Sequence, residues 1–267
     1  MEDMACPLIT LTTDFGLKDP YVAEMKAVIL GISPNAIIVD ITHEVEKFNT
    51  KMAAYVLASA SPYFPNGTIH VAVIDPSVGT KRKAILVHAE KSYFVGPDNG
   101  VLTLATKNQN IKHVYEITNQ KLMLSEISGT FHGRDIFAPA AAYLANGTLP
   151  AAFGPEIHCI STLTFATLVN RKNTLIGEVI HIDDFGNIVT NFGQRELESM
   201  GIKGSVNIKV GSTKLRLKLC ATYSKMKPQE LLAVIGSHGL LEISINQGNA
   251  AKTLKIEGED KAILYRT

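Results

Sequence analysis

Three short apolar runs, each closed by a turn and spaced by stretches of helical period, constrain this chain more than any other feature. Leu8 to Thr13 (LITLTT) reads as a strand, with Asp14-Phe15-Gly16 as the loop after it. Asp19-Pro20 then opens a helix, Asp at the N-cap and Pro at the first helical position. Val22, Met25, Ile29 and Leu30 fall on one face of it, and Gly31 and Ser33-Pro34 stop it. Ala36 to Ile41 (AIIVDI) reads as a second strand, apolar through its centre as buried parallel strands are. Asn49 caps a second helix, whose Met52, Tyr55, Val56 and Ala60 share a face. Pro65-Asn66-Gly67 turns the chain into a third strand that ends at Asp75. This alternation predicts a doubly wound, mostly parallel α/β sheet. Ligands of such sheets gather beyond the carboxyl ends of the strands, which is where Asp14 and Asp75 fall.

Ala84 to Ala89 and Tyr93 to Val95 are strand-like, and a further helix is predicted from about Asp135 through Ala138 to Leu144. Pro139 lies early in it, where it is tolerated, and Asn146-Gly147 ends it. The pattern changes after Gly154-Pro155. Val206, Ile208 and Val210 alternate with polar residues, as do Leu215, Leu217 and Leu219, and Leu241, Ile243 and Ile245. Alternation of this kind predicts a small all-β domain with one buried face per strand. The expected organisation is an α/β domain over residues 1–158, a linker over 159–171, and a small all-β domain over 172–267.

Composition narrows the function classes. Of 267 residues 46% are hydrophobic, enough for a real core and too many for disorder. The formal net charge of +1 gives no basic footprint for nucleic acid. Three cysteines, Cys6, Cys159 and Cys220, lie far apart without a CxxC pair, which argues against zinc and for a reduced, cytoplasmic protein. The acidic start Met-Glu-Asp-Met-Ala-Cys does not read as a signal peptide, and no apolar run is long enough to span a bilayer.

The run Val71-Ala72-Val73-Ile74-Asp75-Pro76-Ser77-Val78-Gly79-Thr80-Lys81-Arg82 ends an apolar strand on a carboxylate and presents an arginine seven residues on. A carboxylate at a buried strand end is costly unless something pairs with it or uses it. A structural ion pair with Arg82 is one reading, a catalytic group the other. Asp14 either ends its strand or binds a vicinal diol such as a ribose, whose two hydroxyls suit a carboxylate. The letters Asp-Phe-Gly at 14–16 do not make a kinase, for no glycine-rich loop or catalytic loop precedes them. Phosphate-cradling glycine motifs are also missing. His132, in Ser128-Gly129-Thr130-Phe131-His132-Gly133-Arg134-Asp135, sits among small residues just before a predicted helix, either as a solvated loop histidine or beside backbone N–H groups that could receive a ligand. In the β half, Asp183-Asp184-Phe185-Gly186-Asn187 is a turn signal that also offers an aromatic face and amide groups. Gly236-Ser237-His238-Gly239 is a second such turn.

Together, TTDFGLKDPYV, VIDPSVGTKR, GTFHGRDIFAPAAA, IDDFGNIVTN and IGSHGLLEISIN resemble the S-adenosylmethionine hydroxide adenosyltransferases, relatives of the fluorinase and chlorinase enzymes. The resemblance covers nearly the whole chain, in order. It implies an α/β domain followed by a small β-barrel, a homotrimer with sites shared between subunits, and conversion of S-adenosylmethionine and water to adenosine and methionine. It places the catalytic Asp–Arg–His set on Asp75, Arg82 and His132. The halogenating relatives lack that aspartate. It places the ribose carboxylate on Asp14 with Asp19 nearby, and the nucleophile pocket at Gly133. Asn187, with Phe185 beside it, falls on the adenine edge, and Asp183 or Asp184 on the methionine ammonium. Ser237 and His238 fall on the methionine carboxylate, where the halogenating relatives carry arginine at the second position. Tyr223 and Glu242 are further candidates for the adenine pocket.

The chemistry suits this inventory. A sulfonium needs no acid to leave, so the task is to aim a water behind C5′. Free hydroxide is scarce because bulk water has a pKa of about 15.7. Arg82 can supply fixed positive charge, Asp75 can orient the water, and His132 can take or relay a proton. No metal or other cofactor is needed. Two other readings compete: a metal-dependent nucleotide phosphohydrolase using Asp75, Asp98, His132 and Asp135, and a non-catalytic S-adenosylmethionine or adenosine sensor.

Overall fold

The computed structural model describes residues 6–107, 109–163, 168–171, 173–258 and 260–266. The N-terminal residues 1–5, where no signal peptide was read, and part of the expected linker, residues 164–167, lie outside the described residues. The chain divides into two compact units, Met1–Leu163 and Thr164–Thr267.

In the first unit β1 (Leu8–Thr13), β2 (Ile37–Thr42), β3 (Ile69–Val73), β4 (Ala84–Ala89), β5 (Tyr93–Pro97) and β6 (Ile111–Glu116) form one mixed sheet in the order β2-β1-β3-β5-β4-β6. The β1–β2, β1–β3 and β3–β5 pairs are parallel. The pairs of β4 with β5 and β6 are antiparallel. The helices are α1 (Tyr21–Ile32), α2 (Thr50–Ala60), α3 (Thr103–Lys107) and α4 (Ala138–Ala145). Side chains alternate across a strand, and β3 with the residue after it shows the consequence. Val71 and Val73 join Met25 and Ile29 of α1 and Ala141 of α4 in one core. Ala72 and Ile74 join Ala53 and Leu57 of α2 and Ala105 of α3 in another. Both faces of the sheet are thus covered, as a doubly wound sheet requires.

Several local expectations are corrected. Pro20, not Asp19, holds the N-cap of α1, and the helix has no side-chain cap. Leu30 is exposed, one step past the apolar stripe. β2 is half-buried rather than buried, because it is the edge of the sheet. α2 is capped by Asn49 as read, its side chain accepting from Met52 N–H, but it buries Ala53, Ala54, Tyr55 and Leu57. Met52, Val56 and Ala60 are only half-buried. The helix read from Asp135 starts as a π-helical turn, Gly133–Phe137, before α4.

The second unit holds β7 (Val169–Arg171), β8 (Thr174–Ile182), β9 (Ile188–Gly193), α5 (Gln194–Ser199), β10 (Ser205–Val210), β11 (Thr213–Cys220), β12 (Leu231–Ile235), β13 (Leu240–Ile245), α6 (Ala250–Leu254) and β14 (Lys261–Tyr265). Strands run in the order β14-β10-β11-β12-β13-β9-β8, and β14 pairs back onto β8, closing a seven-stranded barrel with β7 added beside β8. The alternation carries the closure. Val206, Ile208, Val210, Leu217, Leu241, Ile243 and Leu264 all point into one buried interior, while Leu215 and Leu219 are only partly buried.

Candidate active site

The parallel β1–β3 pairing sets the first unit's site. Thr13 and Val73 are register partners at the ends of their strands, so the loops carrying Asp14 and Asp75 leave the same edge side by side. There they line a cavity of about 350 Å³ with Phe15, Asp19, Tyr21, Lys47, Phe48, Val78, Phe131, His132 and Gly133. Asp14, Asp19, Asp75, His132 and Gly133 thus line one cavity. Arg82 reaches the same place through Asp75 and His132.

Asp75 and Arg82 form a buried ion pair, their side chains 5% and 8% exposed. Arg82 Nε donates to both carboxylate oxygens, at 3.1 and 2.9 Å, and Nη2 donates to Oδ2. The same Nη2 lies 2.7 Å from His132 Nδ1. Guanidinium has no lone pair to offer, so Nδ1 accepts and the imidazole proton is assigned to Nε2. Burial above all, and then the Arg82 charge, hold the His132 pKa below the usual value. In this arrangement His132 is a neutral donor at Nε2. The guanidinium also lies 5.2 Å from the Phe137 ring centroid. The turn from Asp75 to Arg82 is held close by Gly79, at φ +76°, where a β-carbon would overlap the Gly129 carbonyl. Gly133 is less confined: a β-carbon there would press on the Phe131, Met25 and Val73 side chains at 3.1–3.4 Å.

Asp14 is buried, and its Oδ2 accepts from Phe48 N–H at 2.9 Å. Phe48 adopts φ +66° to present that N–H, a conformation bulky side chains rarely take. Lys47 Nζ donates to the Asp14 carbonyl. Phe15, Tyr21 and Phe131 meet edge to face, with centroids 5.2–5.8 Å apart, and form an aromatic wall. Lys47, Phe48 and this wall escaped the sequence reading. The available signal was topological: β2 adjoins β1, so the loop after β2 must reach the loop after β1.

The second unit gathers a different set. Asp183 accepts from Asn187 twice, N–H to Oδ1 and Nδ2 to Oδ2, both 2.8 Å. Gly186, at φ +81°, completes the turn where a β-carbon would overlap the Asn249 side chain. Tyr223 Oη donates to Glu242 Oε2 at 2.8 Å, and Gly236 leaves room for that carboxylate. Burial raises the pKa of Glu242, with Asp183 adding to the shift. Burial, then the bond to Glu242, raise that of Tyr223. His238 also lies within electrostatic reach of Glu242. Asp183, Asn187, Tyr223, His238 and Glu242 therefore form one group. Phe185 is largely exposed, and Asp184 and Ser237 lie in exposed turn positions. Asp184 nevertheless lies within electrostatic reach of His181, together with Asp183 and His238.

The metal set is not assembled. Asp98 Oδ1 accepts from Ser161 N–H at 2.7 Å, and Asp135 is held by Arg134 at 2.7 Å. Among the described residues no three His, Cys, Asp or Glu side chains are placed to hold an ion. Cys6, Cys159 and Cys220 are all free, and no helix among the described residues is long and apolar enough to cross a membrane.

Sequence models of the SAM hydroxide adenosyltransferase N-terminal and C-terminal domains match residues 9–154 and 177–263. The chain is similar to a protein named (R)-S-adenosyl-L-methionine hydrolase from Methanocaldococcus jannaschii, 38% identical, with 99% of this chain and 98% of the relative covered. A fluorinase from Nocardia brasiliensis is 25% identical, with 92% of each chain covered. A crystal structure of an uncharacterized conserved protein from Thermotoga maritima superposes with a TM-score of 0.92 at 38% identity, covering 97% of this chain and 100% of the other. This chain belongs to the SAM hydroxide adenosyltransferase family.

Proposed function

We propose that this protein hydrolyses S-adenosylmethionine to adenosine and methionine by attack of water at ribose C5′. The observation that carries the reading is the continuous Asp75–Arg82–His132 contact beside a cavity that also holds Asp14. Asp14 binds the ribose hydroxyls, with Asp19 beside it. Asp75 accepts a hydrogen bond from the attacking water, and Arg82 holds that carboxylate in place. His132, its Nδ1 occupied by Arg82, donates from Nε2 and holds the water's oxygen in line. The new C5′–O bond forms as the C5′–S bond breaks, and the electron pair stays on sulfur as the neutral thioether of methionine. The water's proton leaves through Asp75 to solvent. The sulfonium brings its own leaving-group charge, so the scheme uses no metal and no cofactor.

Asn187, oriented by Asp183, reads the adenine edge, with Tyr223, Glu242 and the exposed Phe185 ring around it. Asp183 or Asp184 takes the methionine ammonium, and Ser237 and His238 take its carboxylate. Our reading further makes the protein a homotrimer in which the first-unit group of one subunit serves the same ligand as the second-unit group of its neighbour. Three free thiols suit the reducing cytoplasm. No nucleic acid or membrane enters the scheme.

The test is chromatography of purified protein incubated with each sulfonium epimer of S-adenosylmethionine, with and without chelator. We expect adenosine and methionine in equal amounts from at least one epimer, unchanged by chelator. Binding without turnover would favour the sensor. Loss with chelator, restored by a divalent ion, would favour a metal enzyme.

A further inference from the structure

His132 reaches Arg82 from a segment that has little regular structure of its own, residues 124–132. What holds it is a carboxylate outside the catalytic set. Asp135 is fully buried, and a buried charge is costly unless paired and hydrogen-bonded. Its Oδ2 accepts from Ser128 N–H at 2.8 Å. Its Oδ1 accepts from Arg134 Nε at 2.7 Å, with Nη2 at 3.3 Å from Oδ2. Its backbone carbonyl accepts from Leu124 N–H at 3.0 Å. Ser128 in turn closes the turn ahead of His132, its Oγ accepting from Thr130 and Phe131 N–H at 3.1 and 3.0 Å. The other end of Arg134 is anchored on α1 by Glu24 at 2.8 Å, and its guanidinium lies 5.1 Å from the Phe131 ring centroid. These bonds converge on the residues flanking His132, which caps the π-helical turn Gly133–Phe137, an irregularity frequent at functional sites.

We propose that Asp135 is a positioning residue for the hydrolysis: gripping Ser128 on one side and the Glu24-anchored Arg134 on the other, it fixes the segment that presents His132 to Arg82 and Phe131 to the cavity. The proposal rests on the hydrolase reading for its consequence in turnover, but not for its geometry. A segment loosened by about 1 Å loses on the order of 10² in rate. It also frees Nδ1 of His132 from Arg82, so the imidazole no longer holds a single tautomer. The charged groups around His132 are Arg82 and Asp75 from the turn after β3 and Asp135 from its own turn. Asp14, Asp19 and Lys47 lie across the same cavity.

The experiment combines nitrogen-15 NMR of the histidine rings in the ligand-free protein with steady-state kinetics on Asp135→Asn, Arg134→Lys and Arg134→Gln. In the parent protein His132 should show the Nε2–H tautomer alone. Asp135→Asn should show a mixture, with kcat reduced about 10–100-fold and KM within a few-fold. Arg134→Gln should move both readouts in the same direction, and Arg134→Lys, which keeps one charged donor, should recover part of each. Should Asp135→Asn fail to fold, the two Arg134 variants decide. A single unchanged tautomer and parental kcat in folded Asp135→Asn, or in Arg134→Gln, would overturn the proposal. If no variant or parent turns over either epimer, the hydrolase reading fails while the tautomer readout still judges the positioning role.

Discussion

Removing the charge of Asp75 leaves the Arg82 guanidinium buried without its counter-ion. Two effects should therefore appear together. Breaking one side of a buried pair costs roughly 3–5 kcal/mol, and loss of a base or orienting group costs about 10²–10⁴ in rate. Asp75→Asn should lower the melting temperature and, in the fraction that stays folded, lower kcat by that factor. The double variant Asp75→Asn/Arg82→Gln separates the two, because replacing both partners removes the unpaired charge. It should regain stability and stay inactive, measured by thermal melts and adenosine release. Recovery of turnover would assign the pair to structure alone. The motifs disclosed Asp75, Arg82 and His132, but not their protonation. That Nδ1 of His132 is an acceptor follows only from the position of Arg82. Lys47 and Phe48 were illegible because their part in holding Asp14 depends on strand order and on one backbone torsion.

Strand pairing places another histidine where no motif marks it. His70 of β3 and Thr10 of β1 are register partners, and Thr10 Oγ1 lies 2.8 Å from His70 Nδ1. The ring is stacked 5.0 Å from Phe94, and its buried Nε2 has no hydrogen-bond partner among the described residues. Burial pushes its pKa down to about 4. Between that value and the unfolded value near 6.5, the unfolded chain binds more protons than the folded one. His70 therefore contributes its full stability above about pH 6.5, and loses about 3 kcal/mol as pH falls to about 4. Unfolding free energies from denaturant melts should fall with acid across that range, and His70→Gln should flatten that pH dependence. A slope indifferent to this substitution would contradict a neutral, buried His70. Period and apolar runs marked β1 to β5, β10, β11, β13 and the Val22, Met25 and Ile29 stripe of α1, because they report burial directly. They left β6 unread, misassigned part of the α2 face, overstated the burial of β2, whose edge position depends on strand order, and missed the π-helical turn, which a period of 3.6 does not encode.

At the scale of the whole molecule, each unit carries a polar cluster of its own. The first presents Asp14, Asp75, Arg82 and His132, and the second presents Asp183, Asn187, Tyr223 and Glu242. Alternation disclosed the barrel's inward face, while its closure through β14 and β8 joins residues too far apart in sequence for any local pattern to pair. If neighbouring subunits share each ligand, inactive Asp14→Ala and inactive Asn187→Ala proteins should recover activity after verified subunit exchange, since some mixed assemblies contain an intact site. Exchanged samples that stay inactive, or a fully active monomer, would contradict the shared site. The central claim is that water, held by Asp75, displaces the sulfonium at C5′. The most direct measurement is mass spectrometry of adenosine formed from S-adenosylmethionine in oxygen-18 water. The account predicts adenosine carrying one solvent oxygen, in equal amount with methionine. Unlabelled adenosine, or methylthioadenosine as the main product, would contradict it.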